Sequence, residues 1–249
     1  MGNFLTAVCV ISLAYTRRDL VTEAPVLETD VSIPHRRLVD APPPVHGAAI
    51  KGAYVRVAKP VLDFMAALVL FVVTLPILLA VAVAVYAEFG RPIFFRQPRV
   101  GRDGRVFRVN KFRTMDFDRR STATGFRGAE RRRTHKSEDD PRIRPVGRFL
   151  RKWSLDELPQ LTNVLAGDMS LVGPRPEMVQ IVDNYEDWQH ARHQVKPGIT
   201  GLWQVSARDV PMHEATHVDL EYVSRLSLRE DLRILAGTLP AALGDGKGF

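Results

Sequence analysis

Apolar and polar positions divide the chain into segments of different period. From Phe64 to Ala87 it reads "FMAALVLFVVTLPILLAVAVAVYA", about two dozen residues without a charge. As a helix this is long enough to cross a hydrocarbon layer of ~30 Å. A helix apolar on every face for that length is expected to meet lipid rather than a soluble core. Pro76 lies near its centre, where it lacks an N–H and crowds the carbonyl of Val72, so a helix break is expected there. The Thr74 hydroxyl is placed to satisfy a freed backbone group. Lys51, Arg56 and Lys59 flank the start, and Arg91, Arg96, Arg99 and Arg102 follow the end. A span should bias its cations to one side, and here both sides carry them. The residues leave two readings open, a kinked span and a re-entrant helix that returns to the face it came from. In either, Lys59 and Asp63, four apart, sit together as an ion pair.

Beyond the apolar run the period changes. In "RPIFFRQPRVGRDGRVFRVNKFRTM" (91–115), Phe94-Phe95 and Val106-Phe107 stand either side of "GRDG", which predicts a β-hairpin. Residues 116–140 are polar and charge-dense, and are expected to form a mobile loop. Val146, Phe149, Leu150 and Trp153 recur at helical spacing, with Arg148, Arg151 and Lys152 off that face. Such a helix suits either a membrane interface or the surface of the core. Leu228, Leu232, Leu235 and Leu239 repeat the helical spacing near the C-terminus, for packing on the core or the interface. The expected class is α+β, mostly helical, with one Pro-broken membrane helix, amphipathic interface helices and a small β-hairpin. Residues 1–50 read as a flexible leader, 51–90 as the membrane helix with its flanks, and 91–249 as a catalytic domain.

Charge narrows the partners. A formal net charge of +7 points to an anionic one. Nucleic acid fits that charge, but neither the membrane helix nor any binding signature goes with it. The single cysteine, Cys9, excludes an intramolecular disulfide framework and a Cys-rich zinc site. "MGNFLT" fits a myristoylation pattern and residues 4–15 a weak signal-like run, but no basic segment precedes the run and neither is adopted.

Candidate chemistry centres on "RKWSLDELPQL" (151–161), where Asp156 and Glu157 stand side by side behind Arg151 and Lys152. Ser154 to Glu157 fits an S-x-x-E capping box, so helix capping alone would explain the acids. Pro159 forfeits a backbone bond in the first turn and makes that turn unusual. Two carboxylates and Arg151 on a distorted helix start suit a divalent metal with a phosphate. In "NVLAGDMSLVGPRPE" (163–177), Gly173, Pro174 and Pro176 form a rigid turn that presents Arg175, fit for bidentate phosphate binding. In "VKPGITGLWQVSARD" (195–209), Gly198 and Gly201 permit close approach, and Arg208 follows.

Three stretches, "KFRTM", "DPRIRPVGRFLRKWSLDELPQLTNVLAGDMSLVGPRPE" and "VKPGITGLWQVSAR", follow the apolar helix in this order. Together they resemble the bacterial sugar transferases, and more narrowly the monotopic polyprenyl-phosphate phosphoglycosyltransferases in their small form. The resemblance runs from about Lys59 to the C-terminus. It implies transfer of a sugar-1-phosphate from a UDP-sugar to undecaprenyl phosphate, with release of UMP, as the first membrane step of polysaccharide synthesis. By the same resemblance Asp156 is the nucleophile that carries a covalent phosphosugar in a ping-pong cycle, and Glu157 helps hold Mg²⁺. Both acids are thus implied metal ligands, and Arg151, Arg175 and Arg208 are the implied phosphate clamp. The family also implies a re-entrant helix at the cytoplasmic face of the bacterial inner membrane, held by anionic lipids. Exopolysaccharide-initiating members that use galactose or glucose are the most similar, which favours a UDP-hexose. One departure is Ser206-Ala207-Arg208, where the family has glycine before the arginine. If that position needs a positive φ, Ala207 costs about 1 kcal/mol or displaces Arg208.

Two other readings compete. "HEATH" (213–217) fits H-E-x-x-H, so His213, Glu214 and His217 would serve a membrane-anchored zinc hydrolase if they shared one helix face. A non-enzymatic membrane scaffold would leave Asp156 without a chemical role.

Overall fold

A π-helical turn, Tyr54–Ala58, leads directly into α1, a 31-residue helix (Lys59–Phe89) that ends at Gly90 with φ 68°. In this computed structural model the described residues are 52–116, 142–207, 210 and 212–243. The expected leader (1–50), nearly all of the expected loop (116–140) and Arg208 lie outside them. The stretch Tyr54–Phe89 is long and apolar enough to cross a membrane. Pro76 lies inside α1, and the helix continues on both sides of it. Thr74 Oγ1 donates to the Leu70 carbonyl at 2.7 Å rather than to that of Val72, because a helical hydroxyl reaches back one turn from its own position.

The two faces of α1 differ sharply. Ala67, Leu75, Leu78, Val81 and Val85 are buried in a stripe along its length, while Val69, Val73 and Val83 on the far side are 59–68% exposed. Ala67 joins a core with Val109, Leu161, Val164, Met169, Val172, Tyr222 and Ile234. Leu78, Val81 and Val85 join a second cluster with Phe112 and Leu150. The helix therefore lies against the rest of the unit near both of its ends.

After α1 come β1 (Phe94–Val100), β2 (Val106–Phe112), α2 (Pro145–Lys152), α3 (Leu161–Leu165), β3 (Ser170–Val172) and β4 (Glu177–Met178). They are followed by α4 (Val179–Val182), β5 (Gly198–Thr200), α5 (Leu202–Ser206), α6 (Thr216–Arg225) and α7 (Leu228–Leu243). The expected hairpin is present: β1 and β2 pair antiparallel from Phe94↔Phe112 to Val100↔Val106. Its turn takes positive φ at Asp103 (55°) and Gly104 (74°), as the "GRDG" chemistry requires. β4 extends this sheet through Arg99↔Met178, and β3 pairs parallel with β5 through Ser170↔Gly198. Neither short pairing shows an alternating pattern long enough to read in the sequence.

In α2 the buried positions are Gly147 and Leu150, whereas Phe149 and Trp153 are 55% and 43% exposed. The expected apolar face is split, and its aromatic half points away from the core. In α7 the predicted leucine stripe also faces outward: Leu228, Leu232 and Leu235 are 46%, 56% and 38% exposed. Ile234 and Asp231 supply the buried face instead.

Asp231 organises a polar junction at the foot of α1. Lys59 Nζ lies 2.8 Å from Asp231 Oδ2 and 3.5 Å from Asp63 Oδ2, which gives the expected Lys59–Asp63 pair a second acid. The Tyr54 and Tyr222 hydroxyls donate to Asp231 at 2.5 and 2.7 Å. Asp63 accepts from Ser170 Oγ at 2.6 Å and from the Leu171 amide at 3.3 Å. Strand β3, which leads to Arg175, is thereby tied to the membrane helix.

Candidate active site

Asp156 and Glu157 lie on a 3-10 turn, Leu155–Gln160, that holds Pro159. The expected capping box does not form. Ser154 takes left-handed φ 52°, its side chain caps nothing among the described residues, and the Glu157 carboxylate turns to two cations. Pro159 has no N–H to donate, so the turn lacks one of its backbone bonds, and it stays a short 3-10 segment. The helix resumes as α3 at Leu161.

Glu157 is 6% exposed. Lys111 Nζ and Arg175 Nη2 both lie 2.7 Å from its Oε1, and Arg175 Nη1 stands 3.4 Å from Oε2. Burial alone would raise the carboxyl, but the charges of Arg175 and Lys111 and their hydrogen bonds outweigh it and hold it well below the usual range. Asp156 keeps part of its surface open to solvent. Desolvation and then the charge of Glu157 push it up to about 6, opposed by Lys111, Arg151 and Arg175. One acid is locked as an anion, and its neighbour titrates close to neutrality.

Lys111 comes from the end of β2 and Arg151 from the last turn of α2. Arg151 Nε donates to Thr114 Oγ1 at 2.9 Å. α2 approaches this point closely, since a Cβ on Gly147 would stand 1.9 Å from the Thr114 carbonyl oxygen. Arg175 is mostly buried and paired, not the outward-facing residue that a rigid turn alone predicts. Pro174 and Pro176 hold its backbone on both sides. The next residue, Glu177, is buried within 3.7 Å of Arg99 Nη1. The expected role of Gly198 and Gly201 holds: a Cβ on either would meet Gly173 backbone atoms at 2.1 and 2.2 Å. Only bare glycine backbone lets β5 close on the turn that carries Arg175.

Asp156, Glu157, Arg151 and Arg175 are thus brought together from three separate stretches, and Arg208 lies outside the described residues. Ala207 has φ −140°, where an alanine carries no strain, so the departure from glycine has no backbone cost. The zinc reading is overturned. His213 sits in a turn before α6 and His217 within it, so the two do not share a helix face. Among the described residues no cluster of three metal-ligating side chains occurs. The Asp156–Glu157 pair has a different donor set: two hard carboxylates, one partly open and one with an oxygen in a long contact. That set fits Mg²⁺, which takes one or two protein carboxylates beside waters and substrate phosphates.

Residues 54–245 match the family described as Bacterial sugar transferase. The chain belongs to this family. Among similar proteins, the galactosyl transferase CpsE of Streptococcus agalactiae is 44% identical over 165 residues, covering 62% of this chain and 35% of that protein. The undecaprenyl-phosphate galactose phosphotransferase of Salmonella typhimurium is 38% identical over 195 residues, covering 76% and 41%. The exopolysaccharide production protein ExoY of Rhizobium meliloti is 38% identical over 191 residues, covering 74% and 84%. The chain therefore spans well under half of some relatives and most of others.

Within this sugar transferase, one of the two cations that hold Glu157 at 2.7 Å is one that motif reasoning missed. Lys111 opens the "KFRTM" stretch, but nothing local distinguishes it from the arginines around it. The signal available was its strand register: opposite Phe95 in the hairpin, it emerges beside the chain end that meets Thr114. The transferase's buried Arg192, which holds the Arg175 carbonyl, and its own partners Asp219 and Tyr185 carry no motif signal at all.

Proposed function

We propose that this transferase moves a sugar-1-phosphate from a UDP-sugar to undecaprenyl phosphate and releases UMP. The observation that carries the reading is the division of labour between adjacent acids. Glu157 is fixed as an anion by Lys111 and Arg175, while Asp156 remains partly open with a pKa near 6. An Asp156 oxygen attacks the β-phosphorus of the donor. A new acyl–phosphate bond forms, the diphosphate bridge breaks, and UMP departs with the bridging oxygen. A phosphate oxygen of the lipid then attacks the same phosphorus, breaks the acyl–phosphate bond and restores the Asp156 carboxylate. Relatives named for undecaprenyl-phosphate galactose and glucose-1-phosphate transfer support both the acceptor and a hexose donor.

Asp156 and Glu157 would hold Mg²⁺, which when bound supplies charge neutralisation for the donor phosphates. Lys111, Arg151 and Arg175 form the protein's own cationic side of the site, needed because a carboxylate must approach a like-charged diphosphate. We further infer that α1 is re-entrant and that the site lies at the cytoplasmic face of the inner membrane. In support, α1 lies against the same unit near both ends: Lys59 meets Asp231, and the Glu88 carbonyl accepts from Arg144 at 3.0 Å. Exposed cations on the flanks and α2 would add about 1 kcal/mol each on an anionic leaflet.

The test is intact mass of detergent-purified protein with Mg²⁺ and a panel of UDP-sugars, without lipid acceptor. A gain of one hexose phosphate, absent in Asp156→Asn, is the expected result. A wild-type protein that forms no adduct and releases no UMP even with undecaprenyl phosphate would overturn the reading in favour of a scaffold. UMP release with undecaprenyl phosphate but no adduct would keep the transferase and remove the nucleophile.

A further inference from the structure

Behind the site, the turn that carries Arg175 is gripped from below by buried charge. Arg192, 2% exposed, donates from Nη2 to the Arg175 carbonyl at 2.7 Å. The same Nη2 lies 2.6 Å from Asp219 Oδ2, and Nη1 donates to the Tyr185 hydroxyl at 2.5 Å. Both side chains of the Arg192–Asp219 pair are 1% exposed. Neither Asp219 oxygen has a well-formed hydrogen bond among the described residues. The neighbouring carbonyl, of Pro176, is held in the same manner by Arg99 Nη1 at 3.3 Å, with Glu177 as its counter-charge.

A buried ion pair is a poor source of stability, since apolar residues of similar volume do as well or better. This pair lies too deep to meet the donor or the lipid. What it does achieve is directional: it fixes the carbonyl of one residue whose guanidinium grips Glu157. Because prolines flank that residue, little backbone freedom separates the carbonyl from the side chain. We propose that Arg192 and Asp219 are positioning residues, which set the Arg175 guanidinium on Glu157. The positioning stands without the transferase reading, and only its effect on adduct formation rests on that reading.

The deciding variant is Arg192→Met with Asp219→Leu, which exchanges the pair for apolar residues and leaves no charge unpaired. Two measurements in the full chain separate the claims. Hydrogen–deuterium exchange reads the turn without reference to activity. Faster uptake in the peptide 173–178, with the rest of the unit unchanged, is expected, and unchanged uptake there overturns the positioning. Single-turnover adduct formation at saturating donor is expected to slow about ten- to hundred-fold. The same double change in an Arg175→Met background should then add little. A full additional loss in that background would show a merely structural pair and overturn the proposal. If the double variant fails to fold, Tyr185→Phe removes one Arg192 partner without unpairing a charge. It should shift uptake at 173–178 in the same direction, and no shift overturns the proposal. Wild-type protein that forms neither adduct nor UMP would sink the transferase reading, leaving the exchange result to judge the positioning.

Discussion

Lys111 Nζ lies 2.7 Å from Glu157 Oε1 and brings strand β2 to bear on a carboxylate that is almost wholly buried. Its charge also reaches Asp156, where it opposes the rise caused by burial and by Glu157. Lys111→Met removes that opposition, so Asp156 holds its proton to higher pH. Wild-type adduct formation should rise with pH through about 6, and the variant's acid limb should lie above that. Each unit of displacement slows the reaction about ten-fold below the limb. A single-turnover pH profile measures it, and an unmoved limb would separate Lys111 from the ionisation of Asp156.

Asp156→Asn should abolish the adduct and yet stabilise the fold at neutral pH. A raised carboxyl pKa means the native state binds more protons than the unfolded state between about pH 4 and 6. Stability then falls as pH rises through that window, and an amide escapes the loss. Discounted for the solvent access of Asp156, the gain is about 1–2 kcal/mol. Thermal unfolding of both proteins at pH 4 and pH 7 checks the sign.

Of the candidate site, the sequence made legible what local chemistry announces. The acid pair, the proline-bounded Arg175 and the glycines at 198 and 201 are all visible as residue types that a turn or a phosphate requires. The hairpin was legible for the same reason, because "GRDG" demands positive φ where the structure has it. What remained hidden depends on distant partners. The S-x-x-E signature of Ser154 and Glu157 is a local pattern that lost to a tertiary one, Lys111 and Arg175 competing for the same carboxylate. For a related reason the leucine spacing of α7 left core and interface open: periodicity identifies a stripe, whose leucines are exposed here, while Asp231 is buried on the other face by partners from the start of α1.

Gly198→Ala should destabilise by about 1–3 kcal/mol and impair adduct formation, because its Cβ would stand 2.1 Å from the Gly173 nitrogen and backbone must move. Ala207→Gly should change adduct formation little, since φ at this position is already negative. A melting curve and a mass assay on both variants compare a glycine that is needed with one that is not.

Asp231→Ala should cost about 3–5 kcal/mol, the usual penalty for stripping a partner from a buried ion. Lys59 keeps Asp63 at 3.5 Å and the Tyr222 hydroxyl keeps the Val172 carbonyl at 3.1 Å, but the Tyr54 hydroxyl loses its acceptor. Unfolding in nanodiscs reads the loss. A change within 0.5 kcal/mol, the range of ordinary surface substitutions, would mean the junction contributes nothing.

If α1 is re-entrant, cysteines placed at Gly52 and Arg91 in a Cys9→Ser background should both react with an impermeant maleimide from the cytoplasmic side. Labelling of the two from opposite sides in oriented vesicles would establish a span instead.

The junction at the foot of α1 also sets a timetable for synthesis. Lys59 and its closest acid, Asp231, are 172 residues apart. At the ~5–20 residues per second of translation, roughly 10–35 s separate their emergence from the ribosome. The apolar helix therefore reaches the membrane long before its anchor exists, and its ammonium must wait in water or among headgroups. Asp63 can already hold β3 to α1 once Ser170 has emerged, and α7 brings the second acid later. A nascent chain stopped before Leu228 would therefore keep Lys59 on Asp63 alone, with the Tyr54 and Tyr222 hydroxyls still waiting for the carboxylate they share.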